Sequence, residues 1–152
     1  MTEFFSLTLL IRLVSSFFAT IGFAIMFKTK RRHLLHAGIS GAMVYFIYYF
    51  FEFIGAPLFI ASLASTTAGA IYSEVYARVC HTPAIVILSS AVIPIVPGGS
   101  LYYTVQHVLT GENQEAFGHL GDTLGIGLGI ACGIVLVSIL SKTIRIKKKQ
   151  NQ

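Results

Sequence analysis

Five long apolar runs follow one another along the chain, with the polar positions gathered between them. They occupy about 6–27, 34–54, 57–79, 84–109 and 118–141. Each approaches or exceeds the ~20 residues that carry a helix across the hydrocarbon core. The pattern predicts an all-α integral membrane protein of five transmembrane helices. It forms a single membrane domain over 1–152 that ends in a basic tail, 142–152. Gly55-Ala56-Pro57 leaves little chain between the second and third runs, which predicts a tight helical hairpin.

The fourth run is interrupted at its centre by Val92-Ile93-Pro94-Ile95-Val96-Pro97-Gly98-Gly99-Ser100. Each proline removes a backbone donor and clashes with the preceding turn. The two glycines are costly in a helix interior. Pro94 lies about 15 Å along a helix from Ala84, near the middle of a core roughly 30 Å thick. Freed backbone groups at that depth need protein or a water-filled cavity to satisfy them. A broken helix of this kind is a pointer to a transporter's binding site. A new half-helix is expected to start at Pro97-Gly98-Gly99-Ser100, with Ser100 or a glycine as its N-cap. Its N–H groups and positive dipole end then suit a carboxylate.

Composition agrees with the pattern. The 152 residues are 55% hydrophobic and 11% charged, against about 25% charged in a soluble domain. The net charge of +5 does not indicate nucleic acid. The basic residues flank apolar runs and form no aromatic-interleaved patch. Ten of the eleven basic residues fall on one side of five alternating spans: Lys28, Lys30, Arg31, Arg32, Arg78, Lys142, Arg145, Lys147, Lys148 and Lys149. Glu3, Glu52, Glu112, Glu115 and Asp122 fall on the other. The positive-inside rule places the N-terminus outside and the C-terminus in the cytoplasm. The first run has no basic segment before it and no small-residue cleavage site, and reads as a retained helix.

Candidate chemistry is sparse. Pro94, Pro97, Gly98, Gly99 and Ser100 form the break, and Tyr102 and Tyr103 follow just outward. Adjacent helical side chains point about 100° apart, so one tyrosine is expected to face the cavity and the other to pack. Ser62, Ser65, Thr66 and Thr67 in the third run, and Ser15, Ser16 and Thr20 in the first, permit close helix approach. Most are expected to pack, while one or two of Ser62, Thr66 and Thr67, facing the break, could hold an amino or hydroxyl group of a substrate. Arg12 lies inside the first run, where it either snorkels or serves a substrate or counter-ion. Asp122 and Glu52 are the candidate proton-coupling carboxylates, although Glu52 also suits a plain interfacial position. Glu74 and Arg78 are spaced i,i+4 for an ion pair. Gly121, Gly125, Gly129 and Gly133 recur every four residues, which predicts a helix packed closely along them. Cys80 and Cys132 form no CxxC, and no histidine pair has metal spacing. The residues give no metal site, no cofactor site and no catalytic triad, so no enzyme is indicated.

The stretch from Ala91 through Gly98 followed by Tyr102-Tyr103, together with Ala61-Ser62 and Pro83, resembles the threonine/serine exporter family. Within it the chain is similar to the small subunit of split members and to the C-terminal membrane half of fused ones. The resemblance covers nearly the whole chain. It implies a multi-pass protein of a bacterial plasma membrane that works with a larger membrane subunit. It also implies a small carboxylate-bearing substrate, threonine, serine or a dicarboxylate such as succinate. A second five-span unit joined ahead of this one would be inverted relative to it, an arrangement common in secondary transporters. The alternative is a non-transporting membrane scaffold that stabilises a partner. It predicts that the polar positions near the break are buried and dry.

Overall fold

Small residues face inward and large apolar residues face outward. The computed structural model describes residues 7–150, with side chains through Thr143. Glu3 and most of the basic tail's side chains lie outside the described residues. The helices are α1 (Leu7–Met26), α2 (Arg31–Phe53), α3 (Leu58–Cys80), α4 (Ile85–Ala91), α5 (Gly98–Thr110) and α6 (Asn113–Gln150). A 3-10 turn, Ile93–Ile95, joins α4 toward α5. No strand occurs among the described residues.

The buried positions of α3 are Ala61, Ser62, Ser65, Thr66, Gly69, Ala70, Ser73 and Tyr76. Those of α2 include Ala37, Gly38, Ser40, Gly41 and Val44. Leu10, Ile25, Leu35, Phe50, Ile71, Val79, Leu136 and Leu140 are exposed. A water-soluble core would have the opposite distribution. Lipid supplies the apolar environment for the outer side chains, and the interior is chosen for close backbone approach.

Glycines set that approach. A side chain at Gly41 would collide with Thr20 of α1, and one at Gly38 with Phe17. Gly69 of α3 accepts Val44 of α2. Gly129 and Gly133 of α6 lie on the backbone of α3 at Phe59–Leu63 and at Leu63–Thr67. Buried hydroxyls mostly return to their own helix, as a dry interior requires. Thr20 donates to the Ser16 carbonyl at 2.8 Å, Ser73 to Gly69 at 2.8 Å and Thr67 to Leu63 at 2.7 Å.

Span boundaries differ from the expectation in two places. The last helix begins at Asn113 and continues through the basic segment to Gln150, because the polar residues flanking the apolar run are themselves compatible with helix. The fourth span is two helices with a bend of 48° at the break. Its halves take different partners: α4 packs among α2, α1 and α3, whereas α5 packs on α6. The hairpins turn on left-handed glycines. Gly55 has φ +77° between α2 and α3, and Gly111 has φ +81° between α5 and α6, a region that glycine alone enters without strain.

Candidate functional site

The break forms where the sequence places it. Pro94 lies in the 3-10 turn, and Pro97 is the N-cap residue of α5, with no side-chain cap. Gly98, Gly99 and Ser100 are therefore the first three residues inside α5. Ser100 is not the cap; its carbonyl accepts from Thr104 Oγ1 at 2.7 Å. The Gly98 N–H turns back to the Val96 carbonyl at 2.7 Å. The Gly99 and Ser100 amides begin the helix and have no intrahelical acceptor. Both glycines are exposed, and nothing lies within 4 Å of a side chain built on either. The start of the half-helix is thus open on the surface of this chain.

The inner wall of the break is Ile95, which is buried with Val44 and Ala91. Tyr45 and Tyr48 of α2 and Ile130 of α6 pack against this cluster. Tyr48 also lies within electrostatic reach of Glu52 and Asp122. Glu52 is one helical turn beyond Tyr48 on α2, and both carboxylates are exposed. Nothing in the one-dimensional pattern marks Tyr48, because it stands in an aromatic run, Tyr45 to Phe53, with no distinguishing period.

Other expected residues lie elsewhere. Ser62 and Thr66 face α6, not the break, since they are the residues that side chains at Gly129 and Gly133 would strike. Ser62 Oγ donates to the Leu58 carbonyl at 2.6 Å. Thr66 Oγ1 is fully buried without a hydrogen-bond partner, as is Ser40 Oγ. Arg12 is exposed, with its guanidinium 5.7 Å from the centroid of the Tyr49 ring, a cation–π distance. Tyr102 is 65% exposed, while Tyr103 stacks near His119, ring centroids 5.5 Å apart. Both tyrosines are exposed on this chain, Tyr103 at 49%, so neither is packed in its interior.

Glu74 and Arg78 do not pair directly. Ser141 stands between them: it donates to Glu74 Oε2 at 2.6 Å and accepts from Arg78 Nη2 at 3.2 Å. Only half of the α6 glycine stripe is covered by this chain. Gly129 and Gly133 meet α3, but Gly121, Gly125 and Gly127 have nothing within 4 Å of an added side chain.

The turn at Gly111 gathers a group that sequence spacing does not reveal. His107 Nδ1 lies 2.6 Å from Glu112 Oε2 and 3.3 Å from Glu115 Oε2. His119 stacks on His107 at 5.4 Å. The hydrogen bonds from His107 and Thr110 hold the Glu112 carboxyl below its ordinary range.

Comparison with known proteins adds the family. The family model described as "Threonine/Serine exporter, ThrE" matches residues 12–140. A threonine/serine exporter from Corynebacterium glutamicum is 22% identical over 134 residues, covering 88% of this chain. The chain spans 27% of the length of that relative. No solved structure matches. The matched segment contains α2 through α5, most of α1 and α6, and the whole helix break, and it identifies the chain as a member of the threonine/serine exporter family, a family of membrane exporters.

Proposed function

We propose that this chain is a membrane component of a secondary exporter for small carboxylate-bearing metabolites: threonine and serine, or a dicarboxylate such as succinate. The observation that carries the reading is the open start of α5, where the Gly99 and Ser100 amides lack intrahelical acceptors and no Cβ screens Gly98 or Gly99. A carboxylate approaching there meets first-turn N–H groups and the positive end of the helix dipole. Pro94 and Pro97 hold the break in place, and Tyr102 lines the outward path. Asp122 and Glu52 are the proton-coupling carboxylates. The scaffold reading expects buried, dry polar positions near the break; Ser90 and Thr104 are buried, whereas Ser100 is half-buried beside the exposed glycines.

The chain works with a larger membrane subunit, or with the corresponding part of a longer chain. Three observations support this. The chain spans 27% of its relative. Gly121, Gly125 and Gly127 offer an unoccupied helix-packing surface. The outer face of α5 exposes Leu101, Val105, Val108 and Leu109 beside the open amides, so a partner there would close the site. The N-terminus lies outside and the C-terminus in the cytoplasm of a bacterial plasma membrane, following the basic loops.

The test is reconstitution. This chain and a larger family subunit, expressed together, are expected to co-purify and to transport threonine or succinate only as a pair. Full export by this chain alone, as a monomer, would refute the proposal.

A further inference from the structure

The basic end of the bundle holds a cavity that the export reading does not use. The α1–α2 and α3–α4 connections enclose it with the first turns of α2 and α4. Its volume is about 430 Å³, within the roughly 300–1,000 Å³ of small-molecule sites. Lys28, Lys30, Arg32, His33 and His81 line it, and no carboxylate does.

The protonation pattern follows from the hydrogen bonds. Arg32 Nε donates to His33 Nε2 at 3.0 Å, so that nitrogen carries no proton. His33 Nδ1–H then donates to Tyr76 Oη at 2.8 Å. The buried imidazole is neutral. Three exposed cations, Lys28, Lys30 and Arg32, remain around one volume whose lining holds no counter-charge.

Two further observations converge on the same place. Among the described residues, Lys28 at φ +57° and His81 at φ +49° are the non-glycine residues in the left-handed region, and both line this cavity. Both end a helix, with the Thr29 N–H returning to the Ala24 carbonyl and the Thr82 N–H to the Ala77 carbonyl, and these caps turn the two connections toward the cavity. The N-terminus of α2 also lies in the cavity wall, with Lys30 as an N-cap that makes no side-chain bond and with no acidic residue in the first turn. Its orphan amides and positive dipole end add to the positive field.

We propose that this cavity binds an oxyanion group, a carboxylate or a phosphate, through Lys28, Lys30 and Arg32. Thr29 and Thr82, also in the lining, supply hydroxyl donors, while the Ser89 hydroxyl donates to the Ile85 carbonyl at 2.7 Å. The oxyanion is either a soluble anion or the headgroup phosphate of an anionic lipid, since both present the same oxygens. The site is separate from the helix break: Ser89, its innermost residue on α4, precedes Gly98 by nine positions. Binding here does not depend on transport.

The experiment uses the full chain in phosphatidylcholine nanodiscs, titrated with inorganic phosphate and followed by thermal unfolding. Saturable stabilisation that weakens with ionic strength is expected. The variant Lys28→Asn with Lys30→Gln should weaken binding roughly tenfold or more, because it removes two charge-assisted contacts. Asparagine tolerates the left-handed backbone at position 28, so the fold should survive, and unfolding without phosphate checks that it does. Lys142→Gln removes a charge from the same end outside the cavity and should leave binding unchanged. A parallel arm replaces phosphate with phosphatidylglycerol in the disc. Stabilisation by this lipid alone, lost in the double variant, supports the site with a headgroup as its ligand. No stabilisation by either source, or an equal loss in Lys142→Gln, overturns the proposal.

Discussion

The α6 glycine stripe divides into a covered half and an open half, and one added methyl group at each tests the division. In Gly133→Ala the new Cβ would lie 3.0 Å from Thr66 Cβ and 3.1 Å from both Leu63 O and Thr67 N. Ordinary contact is roughly 3.5–4.0 Å. Two of the three obstacles are backbone atoms of α3 and cannot swing aside, so the helices must part by about half an ångström. A gap of that size forfeits a quarter or more of the dispersion well at each neighbouring contact. Overpacking of this kind costs about 1–3 kcal/mol. Gly125→Ala adds the same methyl group where nothing lies within 4 Å. Both variants gain the same helix propensity, about 0.8–1 kcal/mol, so that gain cancels when they are compared. Gly133→Ala should therefore be less stable than Gly125→Ala by about 1–3 kcal/mol. The assay is SDS-driven unfolding of the purified chain in mixed micelles, followed by helical circular dichroism. Equal midpoints for the two variants would refute the close α3–α6 contact.

Two other expectations follow. Thr66→Val should leave stability unchanged or raise it by about 1 kcal/mol, because the buried hydroxyl it removes has no partner; loss of transport in a stable Thr66→Val protein would instead return Thr66 to the substrate path. Reporter fusions after Lys149 and after Asn113 should report cytoplasm and exterior respectively, and the same side for both would end the five-span topology.

The sequence carries the spans, the tight hairpin at Gly55 and the break at Pro94–Ser100 because each depends on local chemistry. Run length, a left-handed glycine and missing backbone donors act within a few residues. The same locality explains what the pattern hides. Apolar-run analysis stops where charge begins, but a helix does not, so α6 extends into Asn113–Phe117 and through the basic segment. The position of Ser62 and Thr66 along the third run does not say which face of α3 they occupy; the repeat of small residues at Ala61, Ser65, Gly69 and Ser73 marks the buried face of that helix, and Gly129 and Gly133 show what covers it. The stacked His107 and His119, and the basic cavity between residues 27–33 and 81–89, join segments separated in the chain. No spacing rule reaches across such distances.

The central claim is that a substrate carboxylate meets the amides at the start of α5. The most direct measurement is uptake of threonine or succinate into inverted vesicles bearing the complete exporter, with Gly98→Leu and Gly99→Leu compared with the natural chain and normalised to inserted, co-purifying protein. A Cβ added at either position meets nothing within 4 Å in this chain, and leucine is a better helix former than glycine, so insertion and assembly should persist. The account predicts that uptake is abolished in both variants, because a ligand reaches these amides only where no Cβ intervenes. Unchanged uptake in both would contradict it and reduce the break to a packing kink.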